Sequence, residues 1–283
     1  MQCAYAARAM TNLAHGIGGF LPLARMAKLA KTAPANYASA QPFPHVVFDD
    51  FFDPSLLDDV LAEFPRPGAI KWQRFDNQQE IKLASAIESN FGAVTRLLLY
   101  HLNSFTFLDF LSRVTGIANL ISDPCFDGGG LHQIVRGGKL AVHADFNKHP
   151  RYGLDRRLNV LVYLNRGWRE EYGGALELWD RHMTRSEAKI FPLFNRLVIF
   201  GTTDFTYHGH PEPLQCPPEL TRKSLALYYF TNGRPAEELS GDHSTLFKAR
   251  GGEEFKLDMR QRVRSAAREL LPPILTRQLR KYL

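Results

Sequence analysis

Two side chains able to hold a metal ion, His143 and Asp145, are separated by a single residue. In a strand, residues i and i+2 point to one face, so this imidazole and this carboxylate can meet the same ion. A third ligand must come from elsewhere in the chain. Tyr207-His208-Gly209-His210 offers two imidazoles on one face of an extended segment, and either could serve. Two histidines and one carboxylate on one face of an octahedron leave three positions open, as non-haem iron centres require for a chelating cosubstrate and O2. An H-x-D triplet alone is a weak signal, so its surroundings must carry the reading.

Those surroundings are rich in short strands. From Gly128 onward, apolar runs are separated by clusters of Gly, Asn and Asp: 131–135, 140–144, 158–164, 175–179, 189–192, 196–200 and 224–230. This texture predicts an antiparallel barrel or sandwich, and seven or eight such strands suit a jelly roll. Upstream the periodicity is helical. Asp53-Pro54-Ser55 starts a helix through Leu56, Leu57, Val60, Leu61 and Phe64 that Pro65 stops, and residues 86–118 repeat the spacing. The expected fold class is mainly β with flanking helices, the helices bracing one face of the barrel. The expected organisation is a basic tail and linker over 1–41, a catalytic domain over 42–247 (helical brace 53–118, jelly-roll core 128–232) and a basic amphipathic tail over 248–283. Val46 to Phe52 reads as a strand that opens the domain near Pro42.

The order of the motifs HADF (143–146), RRLNVLVYLNRGW (156–168), YGGALELWD (172–180), FNRLVIFGTTDFTYHGHPEPL (194–214) and TRKSLALYYF (221–230) resembles the prolyl-4-hydroxylase-like branch of the Fe(II)- and 2-oxoglutarate-dependent oxygenases. The resemblance covers roughly residues 42–235 and implies a double-stranded β-helix. It makes His143 and Asp145 the proximal metal ligands and His208 the distal one. It makes Arg222 the cation for the far carboxylate of 2-oxoglutarate, Tyr163 the phenol supporting that carboxylate, and Gln133 and Asn159 further cosubstrate contacts. Its cofactors are Fe(II), 2-oxoglutarate as cosubstrate and O2, with ascorbate as a reductant. The implied reaction is hydroxylation of an unactivated C–H bond with release of succinate and CO2. Elementary chemistry favours Arg222 over Lys223 for a buried dicarboxylate, since a guanidinium is always charged and binds in a bidentate way. Strand parity places 222, 224, 226 and 228 on one face and Lys223 on the other.

Competing readings stay open at this level. His210 can replace His208, and Tyr163 can be a half-buried strand aromatic with a polar tip. His132, His149 and His182 have no partner at ligand spacing and read as surface or hydrogen-bonded histidines. Gly173-Gly174 reads as a turn, because no helix that could cradle a phosphate follows. The substrate is a protein side chain, a small molecule or a membrane-associated glycan intermediate. From a different class comes a non-catalytic jelly-roll module with a vestigial metal site, and a cupin-type hydrolase is a further alternative. Neither would need the Arg222 anchor. The loop 146–157, with Lys148, Arg151, Arg156 and Arg157, predicts an anionic or polar substrate or else a solvated basic surface.

The 283-residue chain carries a net charge of +6, but the basicity is confined to its ends. Residues 1–41 hold four Lys/Arg and no acid, and 248–283 hold ten against four. That leaves 21 basic and 25 acidic side chains between them, which excludes a nucleic-acid platform at the site. Three scattered cysteines suggest no disulfide framework and fit a reducing, cytoplasmic compartment. No apolar run reaches the length of a membrane span. The basic tails, with Val263, Ala266, Ala267, Leu270 and Leu271 on one helical face, predict peripheral contact with an anionic membrane or a terminal helix packed on the barrel. The Ala-rich, acid-free residues 1–33 also have the composition of an organelle transit peptide.

Overall fold

The computed structural model describes residues 16–235, 238 and 241–253. A first compact unit ends at Arg250; the second, 251–283, lies outside the described residues except for its first three. The amphipathic helix expected over 263–271 therefore falls outside the description. Five α-helices occur among the described residues: α1 (Leu23–Thr32), α2 (Pro34–Ser39), α3 (Pro54–Glu63), α4 (Ala93–Leu102) and α5 (Phe105–Thr115). The strands are β1 (His45–Phe48), β2 (Gln73–Asp76), β3 (Glu80–Ser85), β4 (Ile121–Ser122), β5 (Gly130–Ile134), β6 (Lys139–Ala144), β7 (Asp155–Tyr163), β8 (Leu176–Trp179), β9 (Ser186–Ile190), β10 (Arg196–Gly201), β11 (His208–His210), β12 (Arg222–Thr231) and β13 (Leu246–Phe247).

Local chemistry accounts for the helix boundaries. Asp53 accepts the Ser55 N–H at 2.8 Å and Pro54 occupies the first turn, so α3 starts where its capping residues direct. Glu63, at the end of α3, accepts the N–H groups of Val94 and Thr95 and thereby caps α4. Gly116 in the left-handed conformation ends α5.

The strands form one antiparallel sheet in the order β1-β10-β7-β12-β5-β3-β6-β11-β8-β9, with β2 on β3, β4 on β12 and β13 on β6. Its outer face, through Leu158, Val160 and Val162 of β7, Leu197 and Ile199 of β10 and Leu225 and Leu227 of β12, packs against the helices in the main core. The inner face folds over itself: Tyr163, Val198 and Phe200 meet Leu176, Leu178 and Ile190 from the far end of the sheet. This is the jelly roll, and it settles which side chains point inward. Each fully buried aliphatic side chain of the core contributes on the order of 1.5–3 kcal/mol, so the alternation is firmly held.

The beginning of the chain differs from expectation. Residues 20–41 are not a tail and linker: Phe20, Leu21, Met26, Ala33 and Tyr37 are buried in the main core, and α1 and α2 pack on α5. The apolar face of an Ala-rich helix looks weak in isolation and gains meaning only against α5. A removable targeting segment reaching residue 33 would strip part of this core. No helix among the described residues is long and apolar enough to cross a membrane.

Candidate metal and cosubstrate site

His143 lies in β6 and His208 opposite it in β11, as direct register partners. Their rings are 4.5 Å apart. Asp145 follows β6, with Oδ1 3.6 Å from His143 Nε2 and Oδ2 3.3 Å from His208 Nε2. One ligand atom from each residue falls within 4.8 Å of the others, a cluster able to hold one ion. The ring orientations fit a metal. Nδ1 of His143 donates to the Ala141 carbonyl (2.9 Å) and Nδ1 of His208 to the Thr206 carbonyl (3.0 Å), in the tautomer that leaves both Nε2 lone pairs facing Asp145. Burial pushes His208 down to about 4 against the opposing pull of Asp145, so it is neutral and able to ligate near neutral pH. Burial alone would raise the Asp145 carboxyl, but Arg156 and the two imidazoles outweigh it and hold Asp145 well below the usual range.

Asp145 is fixed from behind. Asn159 Nδ2 donates to its Oδ2 at 2.7 Å, and Arg156 Nη2 lies 3.1 Å from the same atom. Asn159 Oδ1 in turn accepts from Arg156 Nε (3.0 Å) and Nη2 (2.7 Å). Asn159 faces the interior, yet its amide is committed to the metal carboxylate and Arg156 rather than to a cosubstrate. Arg156 is almost fully buried, with its guanidinium 3.5 Å from the ring centre of Tyr228 and 4.3 Å from that of Phe146. Its Nη1 has no hydrogen-bond partner.

At the other end of β12, Arg222 Nε donates to the Gly174 carbonyl at 2.8 Å and Nη2 to the Tyr163 hydroxyl at 3.1 Å. These contacts use two of the five guanidinium N–H groups and fix its plane. Gly173 and Gly174 form the turn expected of them. Both have positive φ, and a Cβ on Gly174 would lie 3.0 Å from Arg222 Cδ, so the turn also seats the arginine. Lys223 has the opposite parity and lies off the inner face.

Gln133 corrects the expectation. In β5, His132 and Ile134 pair with the inward Ser224 and Arg222, whereas Gln133 pairs with Lys223 and shares its face with Leu131 of the helix-side core. Its amide donates to the Pro65 carbonyl (2.9 Å) and accepts from the Thr221 hydroxyl (3.1 Å). Gln133 is thus a structural bridge and not a cosubstrate contact. Gln133→Ala is expected to lower stability by about 1–3 kcal/mol, the cost of orphaning buried polar groups, while leaving the 2-oxoglutarate KM unchanged. Denaturant titration and steady-state kinetics check the two halves.

Of the other histidines, His132 faces inward and bonds the Gly128 carbonyl, and His182 is exposed. His149 is buried beside Asp123 and Asp127, a second grouping with ligand-like spacing. Its Nδ1 accepts the N–H groups of Arg151 (3.1 Å) and Tyr152 (3.4 Å), so the proton sits on Nε2, 3.2 Å from Asp123. That tautomer, with Arg151 on Asp127 at 2.8 Å, makes a loop staple rather than a metal site.

Sequence reasoning missed Arg156 as an interior residue. Parity places it outward with Leu158, but β7 carries one extra residue, Arg157, where Tyr229 pairs Leu158 and Phe230 pairs Arg156. The bulge turns Arg156 inward.

Residues 129–230 match the family model of the 2OG-Fe(II) oxygenase superfamily. That stretch runs from β5 to β12 and holds all three members of the metal cluster. The chain is accordingly a 2-oxoglutarate-dependent dioxygenase, and the family implies Fe(II), 2-oxoglutarate and O2 at the site just described. Among curated protein sequences none matches. Among solved structures, the oxygenase is similar in fold to a prolyl hydroxylase from Trichoplax adhaerens in complex with a hypoxia inducible factor peptide. Identity is 19% over 74% of this chain and 92% of that one, with a TM-score of 0.53. A Pseudomonas putida prolyl-4-hydroxylase is matched at 18% identity over 72% of this chain and 100% of that one, with a TM-score of 0.47.

Proposed function

We propose that this dioxygenase hydroxylates an unactivated C–H bond, releasing succinate and CO2, on a substrate that presents a carbonyl or anionic group beside the metal. The observation that carries the reading is the convergence, on the inner face of one barrel, of the His143-Asp145-His208 cluster with the Arg222–Tyr163 pair. Fe(II) held by that cluster would supply the redox chemistry that couples decarboxylation of 2-oxoglutarate to oxygenation of the substrate. The chain's own residues position the reactants. The backbone carbonyls of Ala141 and Thr206 hold the two rings, Asn159 and Arg156 hold the carboxylate, and Arg222 with Tyr163 orients the far carboxylate of the cosubstrate. Phe146 and Tyr228 shield Arg156 from water, and its unpaired Nη1 supports a polar group on the substrate, as a peptide carbonyl would provide.

Succinate formation from 2-oxoglutarate with Fe(II), with and without candidate peptides, tests the class; a mass gain of one oxygen on the substrate identifies the target. A vestigial binding module would form no succinate. The basic C-terminal segment 248–283 extends the proposal toward a membrane-associated substrate. Full-length protein is expected to sediment with anionic vesicles at low salt, and a chain truncated after Arg250 to stay in solution while still turning over 2-oxoglutarate. Full-length protein that ignores the vesicles would end that extension.

A further inference from the structure

His210 takes part in none of the interactions described above. It lies two residues beyond His208 on the same face of β11, and only 3% of it is exposed. Neither Nδ1 nor Nε2 has a hydrogen-bond partner, although both are buried. An imidazole sealed in a barrel with both nitrogens unanswered is a costly arrangement, and a ligand that answers one of them removes the cost.

Its neighbours indicate which ligand. Its strand neighbour His208 belongs to the metal cluster, and the ring faces the turn at Gly174 whose carbonyl holds the Arg222 guanidinium. An imidazole carries at least one N–H to donate in either charge state. His210 also walls a cavity of about 230 Å3 together with Gly173, Gly174 and Ala175, the turn whose carbonyl holds Arg222. Three carboxylates line it: Glu177 is paired with Lys189 (3.2 Å) and Glu212 with Arg250 (2.6 Å), which weakens their repulsion of an anion, and Glu170 lies at the exposed edge. His208, not His210, faces Asp145, so His210 is free of metal duty.

We infer that His210 is a positioning residue for the cosubstrate, donating a hydrogen bond to the far carboxylate of 2-oxoglutarate alongside Arg222 and Tyr163. The inference rests on the cosubstrate reading above and adds a residue of this chain to it. The test is calorimetric binding of 2-oxoglutarate, and of 2-oxobutyrate, which lacks the far carboxylate, to the Mn(II)-loaded full-length protein. His210→Phe is expected to weaken 2-oxoglutarate roughly tenfold or more, as loss of a charge-assisted hydrogen bond does. It should leave Mn(II) affinity and 2-oxobutyrate binding unchanged, and His210→Gln, which keeps a side-chain N–H, should recover most of the loss. Unaltered 2-oxoglutarate binding by His210→Phe overturns the proposal alone; so does an equal loss for both keto acids, or lost Mn(II) binding. Failure of the unsubstituted, Mn(II)-loaded protein to bind 2-oxoglutarate overturns it together with the cosubstrate reading.

Discussion

Replacing His143, Asp145 or His208 singly by Ala is expected to reduce succinate formation by at least about 100-fold while the chain stays folded. The expected size follows from the geometry: even the outer partners of a metal ligand are commonly worth roughly 10- to 100-fold, and these three residues are the whole cluster on one ion-sized space. Removing any of them breaks the facial set that leaves positions for cosubstrate and O2. Asn159→Ala provides the graded comparison, since it releases Asp145 from one hydrogen bond without removing a ligand; it should weaken Fe(II) roughly tenfold and spare more activity. Metal titration beside the turnover assay separates these effects. His208→Ala with near-normal activity and His210→Ala without it would reverse the distal assignment.

Arg222→Ala should raise the KM for 2-oxoglutarate about 30-fold or more, corresponding to roughly 2–5 kcal/mol for a charge-assisted contact to a buried carboxylate. Lys223→Ala should leave it nearly unchanged. The contrast has a structural cause: Arg222 faces the interior, where the Gly174 carbonyl and the Tyr163 hydroxyl aim it, while Lys223 has the opposite parity and pairs with Gln133. Arg222→Lys should restore only part of the affinity, because an ammonium cannot reproduce the planar two-point contact. Initial-rate measurements over a range of 2-oxoglutarate concentrations decide it, and comparable effects at 222 and 223 would refute the parity argument.

Much of this arrangement was legible in the residues. The seven strand runs named from the sequence are β5–β10 and β12, and Pro54 and Pro65 bracket α3. The alternation of β7 and β12 is regular enough to sort Tyr163, Arg222 and Lys223 correctly, because one face meets the helices and the other the barrel interior. Legibility failed where a residue's meaning depends on a distant partner. The hairpin β2–β3 has a polar sequence, and nothing local marks it as the neighbour of β5 and β6. The family pattern puts Gln133 at the site; its amide serves Pro65 and Thr221 instead, contacts that sequence spacing does not reveal. Arg156 was hidden by a register slip, which leaves no trace in composition.

That slip has an evolutionary consequence. Arg157 acts as a frameshift in the strand: residues before it follow one inside–outside phase, and Asn159, Leu161 and Tyr163 after it follow the other. Insertions or exchanges in 147–154 can therefore vary the loop that enters β7 while Arg156 keeps its hold on Asp145 and Asn159, Leu161 and Tyr163 keep their phase. The loop and the strand it enters are free to diversify separately, so relatives that keep the cosubstrate end intact need not share a target.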